Sequence, residues 1–104
     1  MLIVTTNDIP GKTVTTVLGE VFGLTVRSRN IGSNIGASFK ALAGGELKGI
    51  TTLLHGAREE ALKRLWAEAE QKGANAVLAF RFETNDYNGA GVEVCAYGTA
   101  VVVA

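Results

Sequence analysis

Cys95 and His55 are the only cysteine and the only histidine in this chain of 104 residues, and together they bound its soft-ligand chemistry. A closed zinc-type site takes about four ligands, mostly Cys and His, so one chain does not supply a complete set. A symmetric homo-oligomer changes that arithmetic, because one Cys or His per subunit becomes a ring of ligands around an axis. Cys95 and His55 are therefore candidate metal residues only on condition of assembly. As a nucleophile, Cys95 would need a base within hydrogen-bond reach and a third group to orient that base. With one Cys and one His and no acidic motif at a recognisable spacing, the sequence gives a Cys-His enzyme no support. The plain reading of Cys95 is a small apolar filler within a strand; that of His55, four residues before Glu59, is a solvated helix face.

Arg58 is the third residue of interest. It falls within the apolar arc of a helix, among Leu54, Ala61, Leu62 and Leu65. A guanidinium turned towards a core needs a carboxylate or backbone carbonyls, since an unpaired buried charge costs several kcal/mol. Glu83 and Glu93 are the expected partners, which makes all three candidate structural or ligand-anchoring residues. The pair Gly44-Gly45 fits neither a GxGxxG nor a Walker pattern, and a helix stop accounts for it. The amides of "RNIGSNIGAS" at a helix start favour an anion only as any capped helix does.

The elements that carry these residues are legible from periodicity. "MLIVTT" is a β-branched strand, about Leu2 to Thr6, ended by a turn at Pro10-Gly11. Thr13 to Arg29 is β-branched again, with Leu18, Phe22, Leu24 and Val26 on one parity. Gly19 and Gly23 interrupt it and predict a bulge or bend, or two strands in place of one. Ile35, Phe39 and Leu42 change the period and predict a short helix that Gly44-Gly45 stops. "ITTLLHGAREEALKRLWAEAEQKG" is the clearest helix, its apolar face Leu54, Ala57, Ala61 and Leu65, widened by Leu62 and Ala69. Thr51 or Thr52 could cap its start. "ANAVLAFRFET" and "GVEVCAYGTAVVV" read as two strands joined by a hairpin at Asn88-Gly89. The last strand splits into a small apolar set, Val94, Ala96, Gly98 and Ala100, and a set holding Glu93, Cys95, Tyr97, Thr99 and Val101. The small set suits close-packed helices, which places Cys95 on the other face. The order β-β-α-α-β-β predicts one α+β domain over residues 1–104, with two helices on one face of an antiparallel sheet.

Ten basic and ten acidic residues cancel, and no run of like charge offers a nucleic acid or an anionic membrane a surface. The longest apolar run, Ala100 to Ala104, is far short of the roughly 20 residues that span a bilayer. The expectation is a soluble, cytoplasmic protein with neither nucleic acid nor a transmembrane segment in its function. Hydrophobic content of 47%, 13 glycines and zero net charge point to a protein that associates with itself. In "AVLAFRF" both parities are apolar, so one sheet face can take helices and the other, or an edge, a neighbour.

The run "GGELKGITTLLHGAREEALKRLWAEAEQKGANAVLAFRFET" resembles the signature of the YbjQ-like proteins, whose members carry a heavy-metal-binding label without an assigned activity. The resemblance extends from "TTNDIPGKTV" through "NIGS" to "YGTAV" and includes Gly73-Ala74-Asn75-Ala76-Val77 and Arg81-Phe82-Glu83-Thr84. It implies a two-layer subunit similar to the dodecin subunit, assembled as a homopentamer, with a heavy-metal ion as the implied ligand. Three positions depart from the pattern: Ile50 where an aromatic is common, Ala79 where glycine is frequent, and Cys95 where valine is usual. The thiol is therefore not a shared family feature. Three functions remain open from the residues: a non-enzymatic homo-oligomeric module binding a metal ion or small ligand between subunits, a small enzyme using Arg58, Glu83 or Glu93 in a shared site, and a structural assembly without ligand.

Overall fold

The computed structural model describes residues 1–28, 48–86 and 91–104. Its elements are β1 (Leu2–Ile3), β2 (Val14–Ser28), α1 (Lys48–Gln71), β3 (Ala76–Asp86) and β4 (Gly91–Val103). The strands form one sheet in the order β1-β3-β4-β2. β4 is antiparallel to both neighbours, while β1 runs parallel to β3. The β2/β4 pairing runs from Val14 opposite Val103 to Ser28 opposite Gly91. Fifteen strand residues at about 3.3 Å each reach about 50 Å, so this ribbon sets the 53 Å long axis of the molecule.

Two expectations about the architecture are corrected. The sheet is mixed rather than antiparallel, because the short β1 docks beside β3 after the chain has passed through β2 and α1. A strand of two residues carries too little pattern to reveal its partner. Among the described residues there is one helix, so the dodecin-like pair of helices on one face is not matched. The short helix predicted around Ile35 to Leu42 lies outside the described residues, as does the Asn88-Gly89 turn. The class, α+β, stands.

Helix α1 lies across β2 and β4. Ala57, Ala61, Leu65 and Ala69 form its fully buried line, packed on Val21, Val77, Phe80, Val94, Ala96 and Ala100. The helix ends in a paired closure. Gly73 N donates to Glu70 O at 3.0 Å and Ala74 N to Ala69 O at 3.0 Å, with Gly73 at φ 83, the geometry of a Schellman motif.

β2 is a single strand, and its two interrupting glycines do different things. Gly19 takes φ 100 at the register shift between Val17 and Gly19, so it is the bulge. Gly23 holds regular pairing with Ala96 but lies beneath the Ala61 carbonyl and the Leu65 amide of α1. It admits the helix.

A second irregularity sits in β3. Ala79 adopts φ 52, a left-handed conformation rare for a residue with a Cβ, at the register shift between Leu78 and Arg81. The N-terminal segment takes up the displaced backbone groups: Ala79 N donates to Thr6 O at 2.9 Å and Phe80 N to Val4 O at 3.0 Å. Arg81 Nη1 adds bonds to Thr5 O at 2.9 Å and Phe80 O at 2.8 Å. This bulge limits β1 to Leu2–Ile3, where the sequence predicted a strand to Thr6. Val4 and Ile9 from the same segment pack on Ala76, Leu78 and Val101, covering one end of the sheet face opposite α1. Ala79→Gly should release about 1–2 kcal/mol of left-handed strain and lose roughly 0.4–1 kcal/mol to unfolded-chain entropy. We expect a net gain of roughly 0.5–1 kcal/mol by urea denaturation; a lower midpoint would show that Ala79 is unstrained.

Candidate functional site

β4 alternates as its two residue sets predict. Val94, Ala96 and Ala100 are buried against α1, so Glu93, Cys95, Tyr97 and Thr99 occupy the opposite face. Pairing on both sides of β4 then assembles rows across that face. Leu24, Cys95 and Glu83 form one row; Phe22, Tyr97 and Arg81 the next; Val26, Glu93 and Asn85 a third. Beyond the stretch covered by the N-terminal segment, no other described residue covers this face. Phe22 is 49% exposed, Leu24 39% and Val26 58%, an apolar row along β2 beside a thiol, a phenol and two carboxylates.

The polar groups of the face interact with one another. Tyr97 Oη donates to Glu83 Oε1 at 3.2 Å. Partial burial and the adjacent Glu83 carboxylate push the Tyr97 phenol above its ordinary pKa. Cys95 is half-buried, its Sγ 3.8 Å from the Ala96 carbonyl. Burial first, then the charges of Glu93, Glu83 and Glu20, raise the thiol above its ordinary value. Nucleophiles and metal ligands act as thiolates, so in a single protomer this environment holds Cys95 in its unreactive form. Among the described residues, no group of three or more His, Cys, Asp or Glu side chains is placed to hold a metal ion. The described donor set of one protomer does not fit a heavy-metal site.

His55 is on the exposed side of α1, its Nε2 3.1 Å from Glu59 Oε1. The helix and Cys95 are on opposite sides of the sheet, so one protomer does not bring the two candidate ligands together. Arg58 departs from expectation. It is exposed, and its guanidinium carbon stands 4.9 Å from the centroid of the Phe82 ring, a cation–π geometry. Phe82 in turn meets Phe80 edge to face at 4.9 Å. α1 rides close over Gly23, so its line of alanines and Leu65 takes the fully buried contact, with Leu62 partly buried beside it and Arg58 at the flank. Glu83 and Glu93 lie on the face away from α1, so Arg58 and the two carboxylates do not share a cleft within one protomer. A groove of about 470 Å³ runs along α1, lined by Glu59, Leu62, Lys63, Trp66, Ala67 and Glu70. None of the candidate residues lines it.

The family model described as "Putative heavy-metal-binding" matches residues 1–104. The chain belongs to the YbjQ family. Its relatives include the UPF0145 protein of Mycobacteroides abscessus, 73% identical over 101 residues, covering 97% of this chain and 94% of the relative. The UPF0145 protein of Streptomyces coelicolor is 62% identical over 104 residues, with 100% and 98% covered. One of Thermoplasma volcanium is 50% identical, with 99% and 84% covered. Among solved structures, a protein of unknown function of the DUF74 family from Pediococcus pentosaceus matches with a TM-score of 0.55 at 20% identity, covering 100% of this chain and 98% of that one. That likeness speaks to the YbjQ fold alone. No described helix is long and apolar enough to cross a membrane.

Two features escaped the sequence reading. Phe22, Leu24 and Val26 are visible as one parity, but only strand order makes them neighbours of Cys95 and Tyr97. The other is a row of charged helix side chains, Arg64, Glu68 and Lys72, bonded to the backbone of β2. Opposite charges recurring every fourth residue from Glu60 were the available signal.

Proposed function

We propose that this YbjQ-family chain is a non-enzymatic homo-oligomeric module whose copies meet through the open face of the sheet. The observation that carries this reading is the row Phe22, Leu24 and Val26, exposed beside Cys95 and Tyr97 on the sheet face away from α1. Contiguous apolar surface of this kind marks an association site, and a chain of zero net charge sets no repulsion between copies. A second copy is the occupant because the face offers both halves of its own polar complement, Arg81 beside Glu83 and Glu93. The family resemblance implies five copies.

Heavy-metal binding follows from this reading only where copies adjoin. Cys95, Glu83 and Glu93 of neighbouring subunits would then form a mixed thiolate and carboxylate ligand set, and a bound cation would favour the thiolate that one protomer disfavours. The test is sedimentation velocity joined to native mass spectrometry with zinc, copper and cadmium. An oligomer is expected, with metal uptake lost in Cys95→Val and retained in His55→Ala. A monomer at micromolar concentration would end the assembly reading. Equal, substoichiometric metal in all three proteins would end the metal reading while leaving assembly intact.

A further inference from the structure

β2 is an edge strand, and among the described residues no strand meets the backbone groups on its outer side. Such an edge is a template for pairing with another chain. Here side chains of α1 and of Lys72, the residue just past its end, occupy it. Lys72 Nζ donates to Glu20 O at 3.0 Å, Phe22 N donates to Glu68 Oε2 at 3.3 Å, and Arg64 Nη1 donates to Leu24 O at 2.5 Å. Donor, acceptor and donor on the helix thus face carbonyl, amide and carbonyl on the strand.

The match has a geometric origin. Four helical residues rise about 6.0 Å, and two strand residues advance about 6.6–6.8 Å. A helix laid antiparallel to an edge strand therefore presents every fourth side chain to every second residue. Over two steps the mismatch reaches only about 1.5 Å, which long side chains absorb. The same side chains also hold one another: Lys72 pairs with Glu68 at 3.8 Å and Arg64 with Glu60 at 3.3 Å. Further along, Arg27 Nη2 donates to the Gly56 carbonyl at 3.3 Å. Exposed ion pairs of this spacing are common and weak. What sets this row apart is that the sign of each charge agrees with the backbone group opposite it.

We infer that the Arg64, Glu68 and Lys72 row is a built-in cover on the β2 edge, which bars that edge from adding a strand of a second copy. Without it, β2 of one copy pairs with β2 of another, an isologous contact that extends the sheet. The inference concerns the edge and stands whether or not the open face assembles.

The deciding variant inverts the row, E60K/R64E/E68K/K72E. It keeps the net charge and the charge pairs along α1 but sets carboxylates against carbonyls and an ammonium against the amide. Sedimentation velocity across a wide concentration range should show species larger than those of the wild type. At low concentration, E68A should speed hydrogen exchange of the Phe22 amide about fivefold, the effect of losing one ordinary hydrogen bond. An inverted variant with the wild-type size distribution, or a Phe22 amide indifferent to E68A, overturns the inference. Val26→Lys, which charges the open face and leaves the edge row intact, separates its failure from failure of face-to-face assembly.

Discussion

Gly23→Ala should unfold this domain or bring it close to unfolding, although alanine is a commonplace strand residue. A Cβ at position 23 would collide with the Ala61 carbonyl oxygen and lie 2.5 Å from the Leu65 nitrogen. Both are backbone atoms of α1, so no rotamer change relieves the contact, and the second-site change Ala61→Gly cannot rescue it. The helix must lift, which separates Ala57, Ala61, Leu65 and Ala69 from Val21, Val94 and Ala96 along the core. Overpacking typically costs about 1–3 kcal/mol when side chains can yield. Here a whole helix must move, so we expect at least ~3 kcal/mol, from a total that is roughly 5–15 kcal/mol in a small domain. Gly56→Ala is the internal control. It lies within α1, and a Cβ there meets nothing within 4 Å, so removing a helical glycine should stabilise by about 0.5–1 kcal/mol. Urea denaturation of both variants reads the contrast. A Gly23→Ala protein as stable as the wild type would mean that α1 does not lie on β2 at this distance.

Gly23, set beside Gly19, also marks what the sequence could and could not convey. Periodicity identified α1 and its buried face, because a line of small and apolar residues at helical spacing has one physical use. The split of β4 into small and larger sets placed Cys95 away from the helix, since only Val94, Ala96, Gly98 and Ala100 permit such close packing. Gly19 and Gly23 nonetheless looked alike. One bends the strand and the other admits a helix, and that difference is set by tertiary contact rather than by local preference. The parallel docking of β1 was hidden for a related reason. A strand of two residues is specified by the backbone groups it meets on β3, not by its own pattern.

The sequence supplied candidate residues but not the spatial relations among them. Cys95, Glu83 and Glu93 do share a face, as pairing across β3 and β4 requires. Arg58 was placed by helical angle alone, which assumes that a helix faces its sheet with a broad arc. With alanines at positions 57, 61 and 69 the arc in contact is narrow, and Arg58 finds the Phe82 ring instead of a carboxylate. The edge cover on β2 was invisible for want of strand order: charges at every fourth position mean a solvated face until an unpaired strand is known to run beside them.

The proposed face-to-face assembly should be lost in Val26→Lys while the protomer stays folded. In the protomer Val26 is 58% exposed, so little apolar burial is lost. Its cross-strand neighbour is Glu93, and an opposite charge directly across a strand pair is mildly favourable. At a contact between copies the same lysine would be buried against apolar side chains. Full burial of a Val, Leu or Phe side chain is worth about 1.5–3 kcal/mol, and stranding a charge in that contact costs several more. Each ~1.4 kcal/mol is tenfold in affinity, so we expect the association constant to fall at least ~100-fold. Circular dichroism and the urea midpoint of the dissociated protein should match those of wild-type protomer diluted below its association range. Pairing Val26→Lys with Leu24→Lys should deepen the effect, because Leu24 lies beside Cys95 in the neighbouring row. If sedimentation instead shows wild-type oligomers in both variants, the open face is not the contact. Since the edge row of α1 is untouched in either, such a result would direct attention to the outer surface of the helix, where Trp66 and Leu62 line the groove.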